Sequence, residues 1–257
     1  MTISIITVCY NSGKTIARTI ESVLAQKNVR LEYLIIDGVS KDSTVEIAES
    51  YRPQFEAKGM AYRIQSEPDN GIYDAMNKGI ALATGDIIGI LNSDDCYSAP
   101  DVLSAVCAAF EQGRADSVYG NLLYVKDGWP YRYWRAGRQR PFRTGWMPPH
   151  PAFFVKKSVY EKWGVFRLDC GINADYELML RFLEARQVTA TWLDRTLVHM
   201  EAGGTSNSGV RSRIEGMRND RLAWERNGMR PGTLTILAKK LRKLPQFLRA
   251  KSVMLEK

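Results

Sequence analysis

The chain has 257 residues, 45% of them apolar and 25% charged, a globular balance that excludes a disordered or fibrous protein. No apolar run approaches the roughly 18 residues of a membrane span. The net charge of +8 is uneven: residues 226–257 carry nine basic residues against the single acid Glu256, so residues 1–225 are neutral and a uniformly basic nucleic-acid binder is excluded.

In chain order, Ile3–Tyr10 reads as a strand; the apolar N-terminus lacks a basic flank and a small-residue cleavage site, so it is a buried strand rather than a signal peptide. Asn11-Ser12-Gly13 is a turn, and Lys14–Lys27 is a helix with Ile16, Ile20, Val23 and Leu24 on one face. Tyr33–Asp37 is a second strand and Ser43–Ala57 a second helix. Tyr62–Ser66, Ile72–Ala83, Asp86–Leu91, Pro100–Gln112 and Val118–Val125 continue as strand, helix, strand, helix, strand. This alternation predicts an α/β fold with a mostly parallel sheet, in which ligands bind beyond the carboxyl ends of the strands. Asp37 follows the second strand and Asp94 and Asp95 follow the fourth. The four cysteines, Cys9, Cys96, Cys107 and Cys170, form no CxxC pair and indicate reduced thiols in the cytoplasm rather than disulfides or a zinc site.

Two common nucleotide motifs fail. Gly13-Lys14-Thr15 opens a helix as a P-loop does, but the glycine required five positions before Gly13 is Val8, and no GxGxxG follows any strand. Leu91-Asn92-Ser93-Asp94-Asp95 is the strongest signal. Adjacent carboxylates repel and are costly to bury without a compensating cation. A divalent ion, Mg²⁺ or Mn²⁺, bridging one or two carboxylates to a diphosphate meets that need; acids preceding a helix that starts near Pro100 are the structural alternative. Asp69-Asn70-Gly71 is a turn signature ahead of a helix, which leaves Asp69 as either a helix cap or a ligand contact. Tyr73 and Asn77 are expected to face the same crevice.

Ile5–Asn11, Ile35–Thr44, Glu67–Gly79, Ala83–Asp86 and Leu91–Asp95 occur in the order in which the family 2 glycosyltransferases of the GT-A fold carry their blocks, and the chain most resembles the bacterial branch that builds exopolysaccharide, colanic acid and O-antigen. The resemblance is dense over residues 3–105 and thinner to about 208. It implies that Asp37, Asp69, Asn77, Asn92 and Asp94 contact a nucleotide-diphosphate sugar, with UDP as the expected nucleotide. It also implies that Asp94 and then Asp95 bind the metal. The usual first aspartate of the DxD-type segment is Asn92 here, so that position carries no charge.

Between Trp129 and Trp146, aromatic residues interleave with arginines, and no acid occurs between Asp127 and Glu161. Rings that stack on sugars and guanidinium forks that hold phosphates suit an acceptor loop; a single-strand nucleic-acid platform has the same ingredients, and the upstream acidic site favours the acceptor. Trp134, Arg135, Trp146 and His150 are the candidate contacts, with a structural role equally open for His150. Asp175 opens a helix and resembles the family's catalytic aspartate, the general base; a charge favoured by the helix dipole is the alternative. The preceding glutamate of the family's pair is Ala174, and Glu177 is expected to point elsewhere. His199 either completes the metal shell or packs in a strand. Gly203-Gly204-Thr205-Ser206 is expected to form a loop closing over the diphosphate.

The expected organisation is a GT-A unit over residues 1–208 and a basic helical extension over 209–257. The expected activity is inverting sugar transfer to a glycan or lipid-linked acceptor, with no nucleic-acid partner. A metal-dependent nucleotidyltransferase and a non-catalytic sugar-binding module are the alternatives. In the extension, Leu234, Leu237, Leu241, Leu244 and Leu248 recur at helical spacing among lysines and arginines. The stripe either packs on the body or, as a basic amphipathic helix, holds a cytoplasmic enzyme on the anionic inner face of the cell membrane.

Overall fold

The computed structural model describes residues 1–201, 209–232 and 234–255. The first half runs β1 (Thr2–Cys9), α1 (Ile16–Leu24), β2 (Arg30–Asp37), α2 (Thr44–Ser50), α3 (Arg52–Ala57), β3 (Ala61–Ser66), α4 (Ile72–Leu82), β4 (Ile87–Ile90), β5 (Cys96–Tyr97) and α5 (Val102–Gly113). The second half runs β6 (Ser117–Lys126), β7 (Trp129–Trp134), β8 (Phe153–Lys156), α6 (Lys157–Trp163), α7 (Ala174–Leu180), β9 (Ala190–Glu201), α8 (Gly209–Arg226), α9 (Thr235–Leu241) and α10 (Leu244–Leu255).

The sheet order is β3-β2-β1-β4-β8-β6-β9-β5, with β7 paired to β6. β1, β2, β3 and β4 are mutually parallel, as the alternating pattern predicts. β8 is antiparallel to both β4 and β6, and β9 returns parallel to β6. The expected helix over Ser43–Ala57 divides into α2 and α3. Pro53, near the start of α3, lacks an N–H and its ring disfavours helix in the preceding turn.

Side chains of β1 alternate between two cores. Ile3 and Ile5 pack with α1 and α5, whereas Ile6 and Val8 pack with α4. Burying each such side chain contributes about 1.5–3 kcal/mol, so both faces of the central strand are anchored. Because β2 and β3 extend to one side of β1 and β4 lies on the other, the chain reverses direction across the sheet between β1 and β4. Ligands bind at such a switch point in open α/β sheets.

Candidate active site

The loops after β1 and β2 interlock at that point. Cys9 O accepts from Gly38 N at 2.9 Å, Asn11 N donates to Ser40 Oγ at 2.8 Å, and Asn11 Oδ1 accepts from Lys41 N at 2.8 Å. Asn11 and Val39 sit at φ 51° and 63°. Asparagine tolerates that region, but a β-branched residue there is strained by about 1–3 kcal/mol. Asp37 forms the floor of the crevice with no exposed surface. Its carboxylate accepts from Ser40 N (3.0 Å), Ser40 Oγ (2.5 Å) and Ser66 Oγ (2.6 Å). Asp69 Oδ1 accepts from Gly71 N at 2.8 Å, closing the turn before α4, while Oδ2 lies where a Cβ on Gly38 would meet it.

Asn92–Asp95 lies beyond β4 and is held from α1. Thr19 Oγ1 donates to Asp95 O at 2.7 Å, and Arg18 donates to Asp94 O at 2.8 Å while pairing with Glu201 at 3.1 Å. The Ser12 and Ser93 hydroxyls are 2.8 Å apart. Asp95 is completely buried. Asn92 Nδ2 donates to Asp95 Oδ2 at 3.0 Å, but Asn92 Oδ1 and Asp95 Oδ1 are buried with no hydrogen-bond partner among the described residues. Burial, and then the charge of Asp94, hold the Asp95 carboxyl well above the usual carboxylate range; burial also raises Asp94, against the pull of Arg18. Two orphaned acceptor oxygens beside two destabilised carboxylates fit a hard cation with oxygen ligands. Among the described residues no group of three or more His, Cys, Asp or Glu side chains could hold a metal ion, so an amide oxygen or substrate oxygens must complete the shell. His199 lies in β9 opposite Cys96, the residue after Asp95.

A second centre forms where α7 meets α4. Asp175, half-buried at the start of α7, accepts on Oδ1 from Tyr176 N at 2.7 Å and from Tyr73 Oη at 3.4 Å. Tyr73 also donates to Ile172 O at 3.0 Å, and burial raises its phenol well above the ordinary value, so it stays a donor. Asp175 Oδ2 has no hydrogen-bond partner among the described residues. His150 stacks edge-on against Phe166 with ring centres 5.5 Å apart; burial lowers its imidazole pKa, opposed by the charge of Asp175. Glu177 does point away from this centre, buried against Arg181 at 3.0 Å. Burial raises the phenol pKa of Tyr124 on β6, opposed by the charge of Arg132 and reinforced by the charges of Asp95 and Asp175.

Three expected contacts are engaged elsewhere. The Asn77 amide bonds both backbone groups of Phe166, donating to its O at 3.0 Å and accepting from its N at 2.9 Å, so it ties α4 to the segment before α7 and is not offered to a nucleotide sugar. Trp146 is 2% exposed with its indole N–H on Ala136 O, so it is core and presents no face to an acceptor. Arg135 is paired with Asp194 and lies 5.3 Å from the Trp192 ring. Trp134 is half-buried on β7, beside Arg132. Arg132 and Tyr124 went unselected in the sequence reading. The signal that places them is Asp127-Gly128, both at positive φ (51° and 80°), the mark of a tight hairpin that folds β7 onto β6.

The C-terminal helices are fastened to the body by one face. Trp224 is fully buried and donates to Tyr176 Oη at 2.9 Å; Lys239 pairs with Asp220 at 2.5 Å, Arg242 donates to Thr144 O at 2.8 Å, and Phe247 meets Tyr131 edge-on at 5.4 Å. The other face carries Leu234, Leu237, Leu241, Leu244 and Leu248, exposed at 69%, 51%, 53%, 63% and 71%. The sequence posed packing and exposure as alternatives; the helices pack, and the leucines are not what packs. No described helix is long and apolar enough to cross a membrane. The expected loop Gly203–Ser206 lies outside the described residues.

The family model described as Glycosyl transferase family 2 matches residues 4–168. The chain is 39% identical over 191 residues to the glycosyltransferase Rv1514c of Mycobacterium tuberculosis H37Rv, covering 70% of this chain and 68% of that protein. It is 27% identical over 207 residues to the PGL/p-HBAD biosynthesis glycosyltransferase Rv2957 of the same strain, covering 80% and 79%. Among solved structures, the mannosyltransferase PcManGT from Pyrobaculum calidifontis, in complex with GDP-Man and Mn²⁺, superposes with a TM-score of 0.66 at 18% identity, covering 99% of this chain and 75% of that one. The S. aureus TarS 1–349 structure in complex with UDP superposes at 0.63 and 16% identity, over 87% of this chain and 65% of that one.

Proposed function

The chain belongs to glycosyl transferase family 2 and has the GT-A fold, and from that premise we propose that it transfers a sugar from a nucleoside-diphosphate sugar, UDP in first place, to a glycan or lipid-linked acceptor with inversion. That it is a glycosyltransferase follows from the family. The observation that carries the finer reading is the presence of two centres: buried oxygens on Asn92 and Asp95 without a hydrogen-bond partner among the described residues, and an Asp175 carboxylate with Oδ1 held and Oδ2 unpartnered among them.

Asp94, Asp95 and the Asn92 amide oxygen would hold a divalent ion, with substrate oxygens completing its shell; such an ion would supply charge neutralisation for a diphosphate leaving group. The relative bound to GDP-Man and Mn²⁺ supports that assignment. Asp37 and Asp69, which brace the crevice loops, border the nucleotide. Tyr73 fixes Asp175 Oδ1, so Oδ2 is the oxygen that takes the proton of the acceptor hydroxyl. As that proton leaves, the hydroxyl oxygen bonds to the anomeric carbon and the bond from that carbon to the diphosphate oxygen breaks, its electron pair departing with the nucleoside diphosphate. His150, kept neutral by burial, and Trp134 border the acceptor. The relative named for PGL/p-HBAD biosynthesis supports a biosynthetic role, which we place in surface polysaccharide assembly. Residues 1–208 are the catalytic unit in this reading. The extension, residues 209–257, rests its leucine stripe on the anionic cytoplasmic face of the cell membrane.

Incubation with panels of UDP-sugars, GDP-sugars and nucleoside triphosphates tests the reaction class. Free nucleoside diphosphate is expected, without pyrophosphate. Asp94→Asn is expected to abolish release and the Mn²⁺ dependence of UDP binding. Asp175→Asn is expected to keep UDP affinity while lowering turnover roughly 10²–10⁴-fold. Full activity of Asp94→Asn in excess EDTA would remove the metal assignment, and unchanged turnover of Asp175→Asn would return that residue to a helix-terminal charge.

A further inference from the structure

Arg132 has no counter-charge among the described residues and stands among aromatic rings. Its guanidinium carbon stands 3.8 Å from the Tyr124 ring centre, 5.6 Å from Trp134 and 5.9 Å from Phe247, in a cage of three rings drawn from β6, β7 and α10. Its Nε is buried without a hydrogen-bond partner, and it makes no ion pair among the described residues. Two other cations, just after β7 and in α9, are matched: Arg135 with Asp194 and Lys239 with Asp220. Arg132 has instead a second cation beside it, Lys243 in the turn between α9 and α10, which has no acceptor among the described residues either. Lys243 is itself exposed on that turn, whereas burial lowers the Arg132 guanidinium below its ordinary value.

Cation–π contact returns about 0.5–2 kcal/mol, while leaving the buried Arg132 Nε without an acceptor costs about 1–3 kcal/mol. Packing alone therefore leaves Arg132 unsatisfied. A bound anion satisfies it, and a guanidinium fork flanked by an ammonium matches phosphate oxygens. Position identifies which phosphate. Lys239, one turn before Lys243, stands 3.6 Å from the ring centre of Tyr176, the residue after Asp175, so an anion held by this segment lies beside the base.

We propose that Arg132 and Lys243 form a subsite for the phosphate or diphosphate ester of the acceptor, completed by the C-terminal extension. This rests on the reading of Asp94 and Asp95 as the donor diphosphate site. A phosphate-bearing lipid acceptor would then be gripped by its charged group next to Asp175 while its chain runs toward the exposed leucines of the same helices.

The test titrates the full chain, saturated with UDP and Mn²⁺, with farnesyl diphosphate and with farnesol by calorimetry. Farnesyl diphosphate is expected to bind beside UDP, and farnesol at least about tenfold more weakly, the scale of one charge-assisted hydrogen bond. Arg132→Gln and Lys243→Gln are each expected to weaken farnesyl diphosphate about tenfold and to leave UDP affinity unchanged. Lys243 is exposed on a turn, so its variant keeps the fold intact should the hairpin variant not. Repeating the titration in Asp94→Asn without Mn²⁺ should give the same affinity for farnesyl diphosphate, so the subsite is read even if the donor assignment fails. Equal binding of the two probes, undiminished binding in both variants, or displacement by UDP would each overturn the proposal.

Discussion

Asp95 is fully buried beside a second carboxylate, and burial followed by the charge of Asp94 raises its pKa. A carboxyl whose folded pKa exceeds its unfolded value favours the fold at low pH, and that contribution is lost as pH rises through the raised folded value. Metal-free protein should therefore lose stability as pH climbs above the ordinary carboxylate range, near 4. Asp95→Asn should flatten that fall and melt higher at neutral pH, by on the order of 1–2 kcal/mol, or about 2–8 °C, while losing the stabilisation that Mn²⁺ with UDP gives the wild type. Calorimetry across pH checks this; a lower melting temperature in the variant would mean that the ionised carboxylate is already compensated within the fold. Asp37, equally buried, shows the contrast: three donors from Ser40 and Ser66 satisfy it. Both aspartates follow β-strands in the sequence, and only their partners separate them.

At the scale of elements, Asn77 shows how a sequence pattern can mislead. It sits in α4 one turn after Tyr73, which does reach the Asp175 centre, so helical spacing makes it a crevice residue. The segment that comes to meet it is Phe166, whose backbone N–H and C=O it satisfies together. Asn77→Ala would leave two backbone groups without partners and should cost about 1–3 kcal/mol, with UDP affinity unchanged; a variant of normal stability and weakened UDP binding would restore the nucleotide role. The β6–β7 hairpin has a local signal in Asp127-Gly128 and the division of α2 from α3 has one in Pro53, because turn chemistry is local, although the sequence reads as one helix over Ser43–Ala57 and the hairpin was not expected. β9 was not legible: its place between β6 and the edge strand β5 comes from pairing with strands distant in the chain.

For the whole molecule the relevant quantities are charge and orientation. The charge excess of the chain collects in residues 226–257, on helices docked by one face with five leucines turned outward. Lys240 and Arg249 are exposed on the same helices and Lys243 on the turn between them, and each basic residue near an anionic surface contributes about 1 kcal/mol. The full-length protein should pellet with anionic liposomes at low salt and release at high salt. Leu241→Glu with Leu248→Glu should abolish pelleting while changing stability by less than about 0.5 kcal/mol per site, since neither side chain is buried. Equal pelleting of wild type and variant would mean that the stripe does not meet lipid.

What the sequence determined by itself is what short-range physics encodes: the alternation of strands and helices in the first half, the turns at their ends, the acidic loop after β4, the family, and the segregation of charge into the tail. What only the tertiary structure decided is which polar groups are already matched. Asn77, Trp146 and Arg135 carry the right chemistry for ligands and are committed to Phe166, Ala136 and Asp194; Arg132, one position among many arginines in the sequence, is left without an anion. Periodicity and turn preference depend on neighbours within a few residues, whereas the satisfaction of a buried charge or amide depends on partners that only the completed fold brings within hydrogen-bonding distance.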